Sequence, residues 1–126
     1  MENNIFRNTE CKEACYLYTD SFSEIYDINS IFRDANGLKD AVAYINSSIV
    51  SFNGTQFLNN TSDYNANLYI ITGSYVLMNN VTFDGSYSNS CILTSISSLD
   101  IRDSLFTNFD NTAIVVFAGG PAGFNI

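Results

Sequence analysis

Residues 43–60 read Ala-Tyr-Ile-Asn-Ser-Ser-Ile-Val-Ser-Phe-Asn-Gly-Thr-Gln-Phe-Leu-Asn-Asn. Two alternating apolar pairs, Ala43-x-Ile45 and Val50-x-Phe52, flank the polar turn Asn46-Ser47-Ser48, and Phe57 follows with Asn59 two residues later. Alternation at period two marks a strand with one buried face, not a helix. Asn, Ser and Gly between the pairs are turn formers. The stretch therefore predicts short strands separated by sharp bends.

The same frame recurs along the chain. Phe6 with Asn8, Phe32 with Asp34, Phe57 with Asn59, Phe83 with Gly85 and Phe106 with Asn108 are spaced by 26, 25, 26 and 23 residues. Upstream of the last three lie Val50-x-Phe52, Val76-x-Met78 and Leu99-x-Ile101. Ala122-x-Phe124 is a further copy, and Tyr26-x-Ile28 is the match before Phe32. A second ladder reads Cys15-x-Leu17, Ala43-x-Ile45, Leu68-x-Ile70, Cys91-x-Leu93 and Ala113-x-Val115. A fixed period near 24 residues, built from short strands and polar turns, predicts a β-solenoid with one repeat per coil.

Stacked coils place equivalent side chains about 4.8 Å apart. The ladder phenylalanines should then form one internal aromatic column. Leu17, Ile45, Ile70, Leu93 and Val115 should line a second wall. Asn8, Asp34, Asn59 and Asn108 belong at a bend, with Gly85 in their place in one coil, because Asx and Gly tolerate the left-handed backbone. Their neighbours on the second ladder should point outward. Tyr16, Tyr44, Tyr69, Ile92 and Ile114 form that candidate partner-contact stripe, with Tyr18, Ile71 and Val116 beside it. A contiguous apolar stripe marks a contact surface.

Composition narrows the function. The chain has 126 residues, 46% of them apolar, enough for one domain with a core. Only 14% are charged, and the net charge is −8. That balance argues against nucleic acid and anionic membranes as partners. No 18-residue apolar run is present, so membrane insertion is not expected. Histidine is absent, which removes the commonest general base and transition-metal ligand. No catalytic residue, cofactor site or metal site is predicted. The strongest charged cluster, Asp100, Arg102 and Asp103 with Asp84 one coil away, reads as surface ion pairing.

The three cysteines are too few for a disulfide scaffold. Cys11 and Cys15 are close enough to bridge if the segment turns back. Cys15 and Cys91 fall on equivalent ladder positions three coils apart, about 14 Å, beyond the reach of a disulfide. Cys91 should act as a small buried hydrophobe. Asn-x-Ser/Thr sequons at Asn46, Asn53, Asn59, Asn60 and Asn80 are candidate glycosylation sites, with Asn60 preferred as an exposed turn residue.

Phe57-Leu58-Asn59-Asn60 is a Phe-x-x-Asn motif. Together with residues 43–52 it resembles the repeats of polymorphic outer-membrane proteins and related protist surface proteins. The family's Gly-Gly-Ala-Ile element is represented by Asp40-Ala41-Val42-Ala43 and by Gly119-Gly120. The resemblance spans roughly residues 26–117. It implies a right-handed parallel β-helix, pectin-lyase-like, with structural or adhesive roles at a cell surface.

The expectation is therefore an all-β, right-handed parallel β-helix of about five coils forming a single domain over 1–126. Residues 1–24 are less regular and a candidate N-terminal cap, with Thr9 as a possible helix start; 25–126 form regular coils. No polar cap is visible at either end, so the chain should belong to a longer β-helix or self-associate by coil stacking into a filament. The leading function is a non-catalytic structural or adhesive solenoid at a cell surface or in an extracellular filament. The alternatives are a carbohydrate-binding or polysaccharide-cleaving β-helix and an intracellular scaffold subunit. Glycans are a further candidate partner. No basic region followed by an apolar run opens the chain, so the extracellular reading needs a chain that begins after processing or inside a longer protein.

Overall fold

The computed structural model describes residues 1–64, 66–85, 90–117 and 124–125. Among them the strands are short and there is no helix. They stack as three parallel sheets around about four turns of a β-solenoid, not five.

The first face holds β1 (Ile5–Cys11), β4 (Ile31–Gly37), β7 (Gln56–Leu58), β11 (Thr82–Asp84) and β14 (Leu105–Thr107), with β8 (Thr61–Ser62) pairing the end of β4. The second holds β2 (Leu17–Thr19), β5 (Ala43–Asn46), β9 (Ala66–Ile71), β12 (Ser90–Ser95) and β15 (Thr112–Phe117). The third holds β3 (Glu24–Ile28), β6 (Ile49–Asn53), β10 (Tyr75–Asn79), β13 (Ser98–Arg102) and β16 (Phe124–Asn125).

The phenylalanine ladder is one column. Phe6 pairs with Phe32, Phe32 with Phe57, Phe57 with Phe83 and Phe83 with Phe106. Their rings stack with centroids 4.8, 5.4, 4.5 and 4.9 Å apart. Each such contact adds about 0.5–1.5 kcal/mol beyond area burial. The bend column follows two residues on. Asn8, Asp34, Asn59, Gly85 and Asn108 all have φ between 51° and 73°. Gly85 is more than tolerated there: a Cβ would collide with Asn59 Oδ1 from the coil before.

A second left-handed column lies three residues before each phenylalanine: Asn3, Asn29, Gly54, Asn80 and Asp103. The next position inward supplies hydroxyls that cap backbone amides of the neighbouring coil. Asn4 N donates to Ser30 Oγ at 3.2 Å and Val81 N to Ser104 Oγ at 3.1 Å. Ser48 N to Ser74 Oγ and Ser74 N to Ser97 Oγ, both 3.3 Å, do the same at another corner. These bonds satisfy amides that a sharp bend would otherwise leave unpaired.

The register departs from the sequence expectation in several places. Before Phe32 the inward pair is Ile25-x-Asp27, which pairs with Val50 and Phe52; Tyr26 and Ile28 point out. Here a carboxylate, Asp27, holds the position that is apolar in the later coils. On the second face, Leu17, Ala43, Leu68, Ile92 and Ile114 share a column. Thr19, Ile45, Ile70, Thr94 and Val116 share the next. Leu93 and Val115 are therefore one residue out of place. Cys91-Ile92-Leu93 and Ala113-Ile114-Val115 are apolar at both parities, so alternation leaves the face undecided, and a slip of one residue exchanges the faces. Cys15 aligns with Ala41, Ala66 and Ser90, not with Cys91. Phe124 pairs with Leu99, two residues from the expected register; Ala122 and Gly119-Gly120 lie outside the described residues. Thr9 starts no helix, because it lies inside β1 opposite Ala35.

Candidate functional site

The outward column of the second face is Tyr18, Tyr44, Tyr69, Leu93 and Val115. Tyr44 and Tyr69 point outward as the stripe requires, but Tyr16, Ile92 and Ile114 do not. Ile92 is fully buried and Ile114 packs on the core. Tyr16 turns in at the corner, its ring 5.7 Å from Phe6 and its hydroxyl donating to Arg33 O at 2.9 Å. Tyr18 and Tyr44 stack face to face at 4.9 Å, and Tyr69 meets Tyr44 at 66°. With Glu13, Lys39 and Asp40 the three tyrosines line a groove of about 520 Å³. Lys39 donates to Glu13 at 2.8 Å, and this hydrogen bond with the adjoining charge raises the Lys39 pKa. Burial, then the neighbouring Tyr18 and Tyr69, raises that of Tyr44.

A second groove, of about 400 Å³, lies at the corner between the second and third faces. It arises from chain length. Thr19 pairs with Ile45 and Glu24 with Ile49, so the first coil has one residue more than the second at this bend, and the third coil likewise has one more than the second. The extra residues are Phe22 and Gly73, both left-handed, with φ of 66° and 69°. The shorter second coil, Ser47-Ser48-Ile49, forms the floor. Phe22 N donates to Ser47 O at 2.8 Å, which pins the inserted residue to that floor. Its side chain is 92% exposed. A bulky residue held at positive φ costs about 1–3 kcal/mol, and the exposed ring recovers nothing from burial. No signal in the sequence marked Phe22, because an insertion is visible only once both flanking registers are known.

The charged cluster does not assemble as a group. Asp100, on β13, is gripped by Arg102 two residues on, through Nη2–Oδ2 at 2.6 Å and Nε–Oδ1 at 3.1 Å. That pairing, hydrogen bond first, raises the Arg102 pKa. Asp103 occupies the bend, and Asp84 sits on a different sheet, accepting from Asn108 Nδ2 at 2.7 Å. Asp27 is a carboxylate that sequence reasoning passed over. It is 1% exposed; its Oδ2 accepts from Thr55 Oγ1 at 2.7 Å, and its Oδ1 has no hydrogen-bond partner among the described residues. Among the described residues, no group of three or more His, Cys, Asp or Glu is placed to hold a metal ion.

Cys11 and Cys15 form a disulfide with Cα atoms 5.3 Å apart, closing the corner that carries Glu13. Cys91 is buried and lies outside it. Asn53, Asn59 and Asn80 are exposed and Asn46 is half-buried. Asn60 is not the exposed turn residue expected of it. It is 1% exposed, its Oδ1 accepting from Ala35 N and its Nδ2 donating to Phe32 O, both at 3.0 Å. A side-chain amide placed one residue past the bend turns inward and bridges two coils.

Compared with known proteins, the chain matches no family model, no curated protein and no solved structure. The likeness to surface-protein repeats therefore stands on the quoted residues, and the fold on its own pairing and packing.

Proposed function

We propose that this chain is a non-catalytic structural or adhesive solenoid segment that works at a cell surface or in an extracellular filament. The observation that carries the reading is the phenylalanine column. One ring per coil, stacked at 4.5–5.4 Å, devotes the interior to vertical order. The resemblance to outer-membrane and protist surface-protein repeats supports the location. The disulfide also fits an oxidising compartment. Asp100 and Arg102 satisfy each other, which favours the non-catalytic reading over polysaccharide cleavage.

If the protein is secreted through a glycosylating pathway, glycans should occur at Asn53, Asn59 or Asn80, the exposed sequons, and not at Asn60. The deciding experiment labels intact and permeabilised source cells with antibody against the folded chain, and maps glycans on the native protein. Labelling of intact cells is the expected result. Labelling only after permeabilisation, with all sequons bare, refutes the location. Cleavage of polygalacturonate, with or without calcium, refutes the non-catalytic role.

A further inference from the structure

We infer that the corner groove beneath Phe22 is a binding site for a neutral saccharide, with the Phe22 ring as its stacking platform. The inference rests on the adhesive half of the proposed function and gives that function a ligand class. Among the exposed aromatics, Tyr18 has one face covered by Tyr44, and Tyr26 is tethered through its hydroxyl to Glu24 at 3.3 Å. Phe22 is different: at 92% exposure its ring faces are open. Its backbone is anchored, because the Phe22 amide donates to Ser47 O in an otherwise disfavoured left-handed conformation. An open aromatic on a strained, hydrogen-bonded backbone beside a groove points to use in binding.

The lining selects the ligand. Phe22 and Ile49 present apolar surface, and Ser47, Thr72 and Glu24 present hydroxyls and a carboxylate. A pyranose matches that division, with a C–H face to lie on the ring and peripheral hydroxyls to bond the polar groups. No Lys or Arg lines the groove, Glu24 does, and the whole chain carries −8, so an anionic ligand is repelled. A purely apolar ligand would cut the Glu24 carboxylate off from water and offer it nothing in return. The volume of about 400 Å³ falls in the range of small-ligand sites. A stable protein partner needs a far broader surface.

The test is calorimetric titration and saturation-transfer NMR of the full chain with cellohexaose, laminarihexaose, mannohexaose and chitohexaose, and with trigalacturonate as the acidic counterpart. At least one neutral oligosaccharide should bind, and trigalacturonate should not. Phe22→Ala should weaken binding by about tenfold or more, and Phe22→Trp should retain it. Leu105→Ala, an exposed apolar residue of the first face, should leave it unchanged. Phe22→Gly should lose binding while melting at the same temperature or higher, since glycine adopts positive φ without strain. The inference is overturned by absence of binding to every neutral oligosaccharide, by binding indifferent to Phe22→Ala, or by binding of trigalacturonate alone. Light scattering that shows a dimer dissolved by Phe22→Ala makes the ring a protein contact and also overturns it. If beads coated with the chain still adhere to source-cell surface material after Phe22→Ala, this site fails while the adhesive reading stands.

Discussion

The first and second faces of the solenoid solve one problem in two ways. On the first, the inward position is phenylalanine in every coil, from Phe6 to Phe106. On the second, it runs Leu17, Ala43, Leu68, Ile92, Ile114. A column of identical flat rings gains from stacking as well as from burial, and any slip in register breaks every stack at once. A mixed aliphatic column gains only from burial, and a neighbouring residue of similar size can take the place. The first face should therefore fix the register and the second should follow it.

The largest test cuts each column at its fourth member. Phe83→Ala should destabilise the fold by about 3–5 kcal/mol, the usual cost of a buried Phe truncation. Ile92→Ala, the matching truncation on the second face, should cost less, toward the lower end of about 2–5 kcal/mol. Urea unfolding followed by circular dichroism measures both. Equal losses would remove the distinction between the faces.

The third face sharpens the comparison, because one of its columns is interrupted. Asp27 stands where Phe52, Met78 and Ile101 stand in later coils. Replacing it with leucine while changing its partner, Thr55→Val, removes a buried carboxylate oxygen without a partner and leaves no hydroxyl orphaned. Stability should rise by about 1–3 kcal/mol. The single change Asp27→Leu should gain less, since Thr55 is itself fully buried. A double variant less stable than the parent would mean that Asp27 organises the first coil.

An effect of similar size separates the bend from the core. Gly85→Ala places a Cβ at φ 73° and against Asn59 Oδ1, so it should cost about 1–3 kcal/mol. Asn108→Gly at the same column relieves the backbone but removes the hydrogen bond from Asn108 Nδ2 to Asp84, so it should cost less, about 0.5–1.5 kcal/mol at most. The same urea titrations read both. If the two changes cost the same, the bend column is tolerant and the Asn59–Gly85 contact is unimportant.

These contrasts also explain what could be read from the sequence. The phenylalanine and first bend columns were legible because one residue type recurs at one spacing. The second bend column, Asn3, Asn29, Gly54, Asn80 and Asp103, has the same spacing and was equally available, three residues before each ladder Phe. Asp27 was hidden because a search for apolar pairs steps over a carboxylate. The second-face register was hidden because Cys91-Ile92-Leu93 satisfies either parity. Asn60 looked exposed because Asn in a turn is usually solvated; only the facing backbone of Phe32 and Ala35 turns it inward. The Phe22 groove depends on a length difference between neighbouring coils, which no local pattern encodes.

The smallest difference between the faces is electrostatic. The interior column of the first face holds no titratable side chain, so the cost of Phe83→Ala should not vary with pH. The second face carries two groups whose proton affinity rises on folding. Tyr44 is raised by burial and then by Tyr18 and Tyr69, and Lys39 by its hydrogen bond to Glu13 and then by that charge. For both, the folded pKa lies above the ordinary one, so the fold holds the proton more tightly than the unfolded chain. The stability they add is complete below the ordinary values, 10.0 for tyrosine and 10.5 for lysine, and is lost as pH climbs through the folded values. Melting temperature should therefore fall on the alkaline side, from about pH 10 upward. Tyr44→Phe and Lys39→Met should each flatten that limb in part, and Phe83→Ala should lower the whole curve without changing its slope. An alkaline limb unchanged in the Tyr44→Phe, Lys39→Met double variant would place the pH dependence elsewhere, with Tyr26 beside Glu24 the next group to examine, since that carboxylate also raises its pKa.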